Sequence, residues 1–209
     1  MVWKYLYHFI HIPLYVVAKL LFNYRTIGVD HVPKKGSAIL ASNHASYIDP
    51  HFVGLGILRR INYLAKKELF SNALISYFLK NLCRALPVDR EHIDRATLRS
   101  IYQLLRSDEI LLMFPEGTRT YDGKIMEPKS GIGMIAYNTK VPVIPVYVRG
   151  SFNIYPRNAK LIRPNPCSVF YGPPVDLKDC YNRKKSKELY KEISVKIMEG
   201  IKELEQRAK

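Results

Sequence analysis

Residues 39–52, ILASNHASYIDPHF, carry an apolar run that stops at Ser42 and continues into a polar segment with a histidine, a four-residue gap and an Asp-Pro pair. On a helix, His44 and Asp49 would lie on different faces, about 140° away from each other. They can therefore meet only if the chain between them turns. Pro50 favours that turn, because it disfavours α geometry at Asp49 and is itself well suited to the first position of a helix. The segment therefore predicts a strand, a turn and then a helix with Asp49 as its N-cap.

The pair formed by His44 and Asp49 is suited to general-base catalysis. One carboxylate oxygen can cap the helix while the other accepts a hydrogen bond from the imidazole. That bond fixes the tautomer, leaves the second ring nitrogen to take a proton from a hydroxyl, and stabilises the imidazolium that results. A histidine and an aspartate at this spacing also occur in proteins as a purely structural pair, so this pattern alone leaves both interpretations open.

A second segment, LLMFPEGTRT at residues 111–120, again leads an apolar run into a polar loop. Gly117 permits an unusual backbone conformation or the close approach of a ligand. Arg119 offers a planar fork that matches phosphate oxygens, and Thr118 adds a hydroxyl donor. Glu116 can orient Arg119 or accept from a substrate hydroxyl. By itself, the loop is equally compatible with an ordinary turn that carries a surface ion pair.

Short β-rich runs alternate with helical runs along the rest of the chain, which predicts an α/β domain with a central sheet. In such sheets the functional residues usually lie in loops beyond the strand ends. The last helix carries an apolar stripe that is predicted to face the core. The predicted strands are Ala38–Ser42, Ile61–Ala65, Glu109–Phe114, Val143–Val148 and Ser168–Tyr171, and the predicted helices are Pro50–Leu58, Glu68–Leu82, Glu91–Arg106, Ile132–Asn138 and about Lys184–Arg207.

The chain is strongly basic: 33 Lys and Arg against 18 Asp and Glu give a net charge of +15 over 209 residues. Such an excess favours anionic partners, namely nucleic acid, an acidic membrane face or phosphorylated substrates. The length fits one domain. The three cysteines form no CxxC pair, which indicates neither a zinc site nor a disulfide framework and favours a reducing, cytosol-facing location.

The first 22 residues, MVWKYLYHFIHIPLYVVAKLLF, are apolar and rich in aromatic rings. The 14 residues between Lys4 and Lys19 contain no acidic or basic side chain. A spanning helix needs about 20 apolar residues, so this run is too short. Tyrosine and tryptophan rings suit the membrane–water interface. We therefore predict an interfacial or re-entrant membrane anchor over residues 1–25 and one domain over 26–209. The alternative is an N-terminal helix packed on the core of the domain.

Taken together, the two motifs resemble those of the lysophosphatidic acid acyltransferase family of glycerolipid acyltransferases. NHASYID matches the NHxxxxD block of that family, and FPEGTR, about 70 residues further on, matches its EGTR block. VPVIPVYV at 141–148 resembles a third block, and AKKELF at 65–70 and LPVDR at 86–90 resemble two intervening segments. The order and spacing of these blocks agree with the family from about Thr26 to Arg149.

The resemblance implies an α/β fold with a central mixed sheet flanked by helices. It further implies that His44 and Asp49 activate an acceptor hydroxyl, which attacks the thioester of acyl-CoA or acyl-carrier protein without an acyl-enzyme. Arg119 is expected to hold the acceptor phosphate together with Lys66, and Arg90 to contact the substrate. The full set of predicted substrate-binding residues is Asn43, Lys66, Arg90, Glu116, Gly117, Thr118 and Arg119. No cofactor and no metal are implied.

The reaction implied is transfer of a fatty acyl group to the sn-2 hydroxyl of 1-acyl-glycerol-3-phosphate, which forms phosphatidic acid in phospholipid biosynthesis. Glycerol-3-phosphate and other lysophospholipids are alternative acceptors. A lipid-ester hydrolase would need a nucleophile near His44, and Ser46 lacks the G-x-S-x-G context. A non-catalytic membrane- or nucleic-acid-binding module would explain the charge but not the two motifs. We expect a peripheral or monotopic protein on the cytoplasmic face of the cell membrane, with an anionic membrane surface and no nucleic acid as its partner.

Overall fold

A central sheet of seven strands organises the chain, of which the computed structural model describes residues 2–81, 84–89 and 94–208, with side chains from residue 9 onward. The strands are β1 (Arg25–Ile27), β2 (Ala38–Ser42), β3 (Ile61–Lys66), β4 (Ala85–Val88), β5 (Ile110–Met113), β6 (Val143–Arg149) and β7 (Ser168–Tyr171). Their order across the sheet is β1-β7-β6-β2-β5-β3-β4. All neighbours are parallel except β6 and β7, so the mixed sheet implied by the family resemblance is confirmed.

Helices flank this sheet on both faces. They are α1 (Val2–Phe22), α2 (Asp49–Leu55), α3 (Ala73–Asn81), α4 (Arg95–Leu104), α5 (Gly131–Thr139), α6 (Ser151–Ile154), α7 (Lys178–Tyr181) and α8 (Lys187–Arg207). Short 3-10 turns cover Val29–His31 and Lys67–Phe70. The apolar stripe of α8 is buried, as its periodicity predicts.

The core consists of two apolar layers, one on each face of the sheet. Successive residues of β2 point to opposite faces, so Leu40 joins the layer covered by α1 and α2, while Ile39 joins the layer covered by α4, α5 and α8. Every residue of β2 and β5 is buried. Strands that are buried on both faces read as continuous apolar runs. That is why these two central strands are the clearest in the sequence.

The differences from the predicted elements lie toward the edges of the sheet. β1 is only three residues long, and β4 contains Pro87, which an edge strand tolerates because one of its sides needs no ladder partner. The single helix predicted over Glu68–Leu82 is wrong: a 3-10 turn ends at Phe70 and α3 begins at Ala73. The side chain of Asn72 accepts from two backbone N–H groups of the new helix, at 2.9 and 3.1 Å, and so starts it.

Helix α1 contacts the domain through one narrow stripe. Its side chains at His11, Ala18 and Phe22 lie against the layer under α2, at helical spacing. Most of its other described side chains are apolar and exposed, including Phe9 at 77% and Leu20 at 79%. Across the described ranges, no helix is both long and apolar enough to cross a bilayer. The helix therefore packs on the core on one side and presents apolar surface on the others.

Candidate active site

Three parallel strands bring the two motifs to one edge of the sheet. β2, β5 and β3 are neighbours and run in the same direction, so their carboxyl ends lie side by side. His44 follows β2, the loop with Glu116 and Arg119 follows β5, and Lys66 ends β3. The carboxyl edge of such a sheet is where ligands usually bind. Residues far apart in the sequence thus form one site.

His44 and Asp49 form a buried hydrogen-bonded pair. The Nδ1 atom of His44 lies 2.9 Å from Oδ2 of Asp49, and the two residues are 5% and 0% exposed. The same oxygen accepts from the backbone N–H groups of Ala45 and Ser46, at 2.7 Å each. Oδ1 of Asp49 has no hydrogen-bond partner among the described residues. Three donors on one oxygen lock the carboxylate against the loop that carries His44.

The predicted N-cap role of Asp49 is wrong by one position. Helix α2 begins at Asp49 itself, its N-cap is Ile48, and no side chain caps it. Because Pro50 has no N–H, the first turn of the helix needs one acceptor fewer. The loop N–H groups at residues 45 and 46 are buried and require an acceptor. The carboxylate therefore turns back to the loop, and one oxygen both closes the turn and pairs with the imidazole.

Phe114 holds the face of the His44 ring. The two ring centroids lie 3.8 Å apart and the planes are inclined by 15°. Asp49 binds one edge of the imidazole, so the stacked phenyl ring fixes the remaining orientation. We assigned Phe114 no role from the sequence. The only available signal was its place at the start of the FPEGTR motif.

Glu116 joins the two motif loops. Its Oε1 accepts from the backbone N–H of His44 at 2.7 Å and its Oε2 from that of Met126 at 3.1 Å. The backbone N–H of Thr120 donates to the carbonyl of His44 at 2.9 Å, which adds a second link. No ion pair with Arg119 occurs among the described residues. The predicted orientation of Arg119 by Glu116 is therefore wrong, because both carboxylate oxygens serve buried backbone donors instead.

We expect Glu116→Ala to lower the free energy of unfolding by about 2–4 kcal/mol, because two buried N–H groups lose their acceptor. Burial raises the pKa of Glu116 from 4.5 to about 7. A carboxyl whose pKa is higher in the folded state stabilises fully below its unfolded value, and this contribution declines as pH rises toward about 7. Glu116→Gln should remove that pH-dependent component.

Urea denaturation at pH 4.5 and pH 8 measures both effects. Glu127→Ala is the matched control, since the side chain of Glu127 is 86% exposed. An alanine variant at position 116 as stable as this control would show that the carboxylate does not hold the loops together.

Arg119 is stacked on a tyrosine ring. Its Cζ atom lies 3.2 Å from the ring centroid of Tyr47, and Tyr47 in turn lies 5.3 Å from the ring of Tyr155. The Nη1 atom of Arg119 is buried and has no hydrogen-bond partner in the described part of the chain. Stacking occupies the face of a guanidinium and leaves its N–H edges for phosphate oxygens. Tyr47 occupies an unspecified position of the NHxxxxD motif, so the sequence did not indicate this contact.

Lys129 covers the glycine of the second motif. Gly117 has a φ of +71°, and a Cβ at this position would lie 2.9 Å from Cδ of Lys129. Both facts exclude a larger residue there. Lys129 forms no ion pair with another described residue, which leaves a third cationic group near Arg119. Thr118, between Gly117 and Arg119, is partly exposed.

Asn43 has a structural role that differs from the predicted one. Its Oδ1 accepts from the N–H of Val148 at 2.7 Å, and its Nδ2 donates to the carbonyl of Val148 at 3.2 Å. The amide thus continues the ladder between β2 and β6 beyond the end of β2, and it is 4% exposed. The predicted contact with substrate is therefore wrong. Lys66 is exposed at the site edge, and Arg90 lies outside the described residues.

Comparisons with known proteins agree with this geometry. A family model described as Acyltransferase matches residues 23–149. The 1-acyl-sn-glycerol-3-phosphate acyltransferase of Bacillus subtilis (strain 168) is 32% identical over 202 residues, which cover 96% of this chain and 97% of that relative. The enzyme of the same name from Streptococcus pneumoniae (strain ATCC BAA-255 / R6) is 29% identical over 153 residues, 72% of this chain but 54% of its own length.

Among solved structures, the 1-acyl-sn-glycerophosphate (LPA) acyltransferase PlsC from Thermotoga maritima matches with a TM-score of 0.70 and 28% sequence identity. The match covers 87% of this chain and 72% of that one. It includes the sheet edge on which the two motifs meet.

Proposed function

This chain belongs to the acyltransferase family, and from that premise we propose that it acylates the sn-2 hydroxyl of 1-acyl-glycerol-3-phosphate to form phosphatidic acid in phospholipid biosynthesis. The acyl donor would be acyl-CoA or acyl-carrier protein. The observation that carries the proposal is the His44–Asp49 pair beside the Arg119 loop at one sheet edge. The pair supplies a base for the hydroxyl, and the loop supplies a fork for the phosphate.

The proposed reaction needs one proton transfer in each direction. Nε2 of His44 takes the proton of the acceptor hydroxyl as its oxygen bonds to the thioester carbon. Asp49, held by three donors, stabilises the imidazolium that forms. The C–S bond then breaks, and the proton passes to the departing thiolate. No residue becomes acylated in this sequence.

A hydrolase is less well supported by the same geometry. It would need a side-chain nucleophile beside His44. The hydroxyl of Ser46 donates to the carbonyl of Tyr155 at 2.6 Å and is fully buried, which suits a structural role. Cys167 is also buried, and burial raises the pKa of its thiol above the usual range.

Arg119 is proposed to bind the acceptor phosphate. We expect Arg119→Ala to raise the KM for lysophosphatidic acid by about 10–100-fold, the scale of one to two charge-assisted hydrogen bonds, with a smaller change in the KM for the donor. Arg119→Lys keeps the charge but loses the planar fork, so it should recover only part of the affinity. Steady-state kinetics with each substrate varied in turn measures the effect. A larger rise in the donor KM than in the acceptor KM would assign Arg119 to the donor instead.

An apolar cavity next to the catalytic pair supports a lipid substrate. It has a volume of about 250 Å³ and lies between α1 and α2, with Ile48 and Phe52 on one wall and Ala18 and Phe22 on the other. Ile48 directly precedes Asp49, so the cavity begins beside the site of chemistry. Acyl chains are suited to such a lining. Glycerol-3-phosphate, the alternative acceptor, has no chain to place there.

We also propose peripheral or monotopic association with the cytoplasmic face of the cell membrane. Exposed apolar side chains on α1 and α3, among them Phe9, Leu20, Leu74 and Phe78, supply the surface. The net charge of +15 adds attraction to an acidic leaflet, about 1 kcal/mol for each basic residue near it. Cys167 and Cys180 are free thiols, which suits a reducing compartment.

The proposal is tested by acyl transfer from a labelled acyl-CoA to lysophosphatidic acid in detergent micelles. Parallel reactions contain acyl-carrier protein as the donor, or glycerol-3-phosphate as the acceptor. Labelled phosphatidic acid supports the proposal. Release of free fatty acid with no acceptor present would favour the hydrolase. The absence of product with every donor and acceptor pair would refute the proposed function.

A further inference from the structure

A second, polar cavity opens at the same edge of the sheet as His44, on its other half. Its volume is about 510 Å³. β6 lies next to β2, and β7 and β1 follow it outward, so the cavity lies beyond β6 as seen from the catalytic pair. Its polar lining includes Asn23, Arg25, Arg149, Asn153, Asn165 and Ser168, and no acidic side chain is among the residues that line it.

Strand register places two of these arginines on either side of a hydroxyl. Arg25 of β1 pairs with Ser168 of β7, and Ser168 pairs with Arg149 of β6. Paired residues on neighbouring strands point to the same face of a sheet. The row Arg25–Ser168–Arg149 therefore points into one space, with the two arginine Cα atoms about 10 Å apart. Three adjacent strands thus converge hydrogen-bond donors on the cavity.

The two arginines differ in how they are held. The guanidinium of Arg149 donates to the carbonyl of Ala208 at the end of α8, which fixes it at the cavity wall. The amide of Asn165 donates to the carbonyls of Gly150 and Pro166 and fixes the opposite rim. Arg25 makes no side-chain hydrogen bond or ion pair with any other described residue. A cation with no carboxylate beside it is available to an anion that enters the cavity.

We propose that this cavity is a second phosphate-binding site, separate from the one at Arg119, and that it takes a phosphate of an anionic amphiphile. This inference rests on the proposed function in one respect, since that function brings two such phosphates to the sheet edge. One belongs to the CoA part of the acyl donor, and β2 and β1 are about 15 Å apart, three strand spacings. The other is the headgroup of an anionic lipid, because Asn23 directly follows the exposed helix α1.

Arg25→Ala tests the site by binding rather than by turnover. Arg106→Ala removes the same charge from an exposed position outside the cavity and is the matched control. CoA, without an acyl group, is titrated into each protein in detergent by calorimetry. In a second arm, each protein is sedimented with phosphatidylcholine vesicles that contain or lack phosphatidylglycerol.

We expect Arg25→Ala to weaken one of these two affinities by about tenfold or more, the scale of a charge-assisted hydrogen bond, while Arg106→Ala stays within about twofold of the parent. Arg25→Lys should fall between them. Weaker CoA binding would identify the donor phosphates as the ligand. Weaker binding to the phosphatidylglycerol vesicles alone would identify a lipid headgroup.

The proposal is overturned if Arg25→Ala matches Arg106→Ala in both arms, or if the parent binds neither probe. Misfolding does not confuse the outcome, because the exposed side chain of Arg25 makes no contact whose loss would unfold the domain, and equal melting temperatures verify this. Failure of acyl transfer is a separate result. It would refute the proposed function while the two binding measurements still decide whether the cavity holds a phosphate.

Discussion

His44→Ala should lower kcat by about 10²–10⁴-fold, the usual contribution of a general base, and leave both KM values near those of the parent. The effect should be confined to the chemical step because the imidazole is needed only when the hydroxyl loses its proton. The fold should survive the change. Asp49 would keep the backbone N–H groups of Ala45 and Ser46, so its carboxylate would remain hydrogen-bonded in the absence of the ring.

His31→Ala is the matched control for this prediction. β1 runs antiparallel to β6, so the turn that carries His31 lies at the opposite edge of the sheet from His44. Its removal should leave kcat unchanged. Single-turnover measurements of labelled phosphatidic acid separate the chemical step from product release. If His44→Ala kept more than about a tenth of the parent rate, the proton would have to be taken by another group.

Asp49→Asn should lower kcat by about 10³-fold, for a reason that the hydrogen bonds make specific. If the amide oxygen replaces Oδ2, all three donors keep an acceptor, but the negative charge that stabilises the imidazolium is lost. If the amide turns over, its NH₂ group faces three donors, and the tautomer of His44 must change. Both orientations therefore impair the base while the packing around it stays the same.

The pH dependence of kcat/KM distinguishes this loss from simple misfolding. Removing a neighbouring negative charge lowers the pKa of an imidazolium. The residual activity of Asp49→Asn should therefore rise with pH at a lower pH than that of the parent. Asp30→Asn changes an exposed carboxylate at the opposite edge of the sheet and should alter neither kcat nor the profile. A parent-like profile with reduced amplitude would mean that Asp49 does not influence the base electrostatically.

The parts of the site that the sequence predicted are those set by strand ends. A buried apolar run that stops at a polar residue indicates where a parallel strand reaches the sheet edge, so the positions of His44 and Arg119 could be inferred. The turn that brings Asp49 back to His44 was also predictable from Pro50. Which atoms the carboxylate would bind was not, because that depends on buried loop N–H groups whose other possible acceptors are fixed only by the fold.

The contacts missed from the sequence all join segments that are distant along the chain. Glu116 accepts from residues on two loops, Phe114 stacks on the ring of His44, and Asn43 bonds the backbone of Val148. Residue type and spacing do not determine such partners, since a glutamate or an asparagine in a polar loop can serve either a ligand or the backbone. Arg119 illustrates the same point, because its stacking partner Tyr47 occupies a position that the motif does not specify.

The link made by Glu116 has a consequence for which acceptors the enzyme can use. Since Glu116 bonds the backbone of His44 to the loop that leads to Arg119, the proton acceptor and the phosphate anchor belong to one rigid frame. Such a frame acts as a ruler. It measures the number of bonds between the hydroxyl and the phosphorus of an incoming molecule, and it distinguishes isomers of equal charge by that length alone.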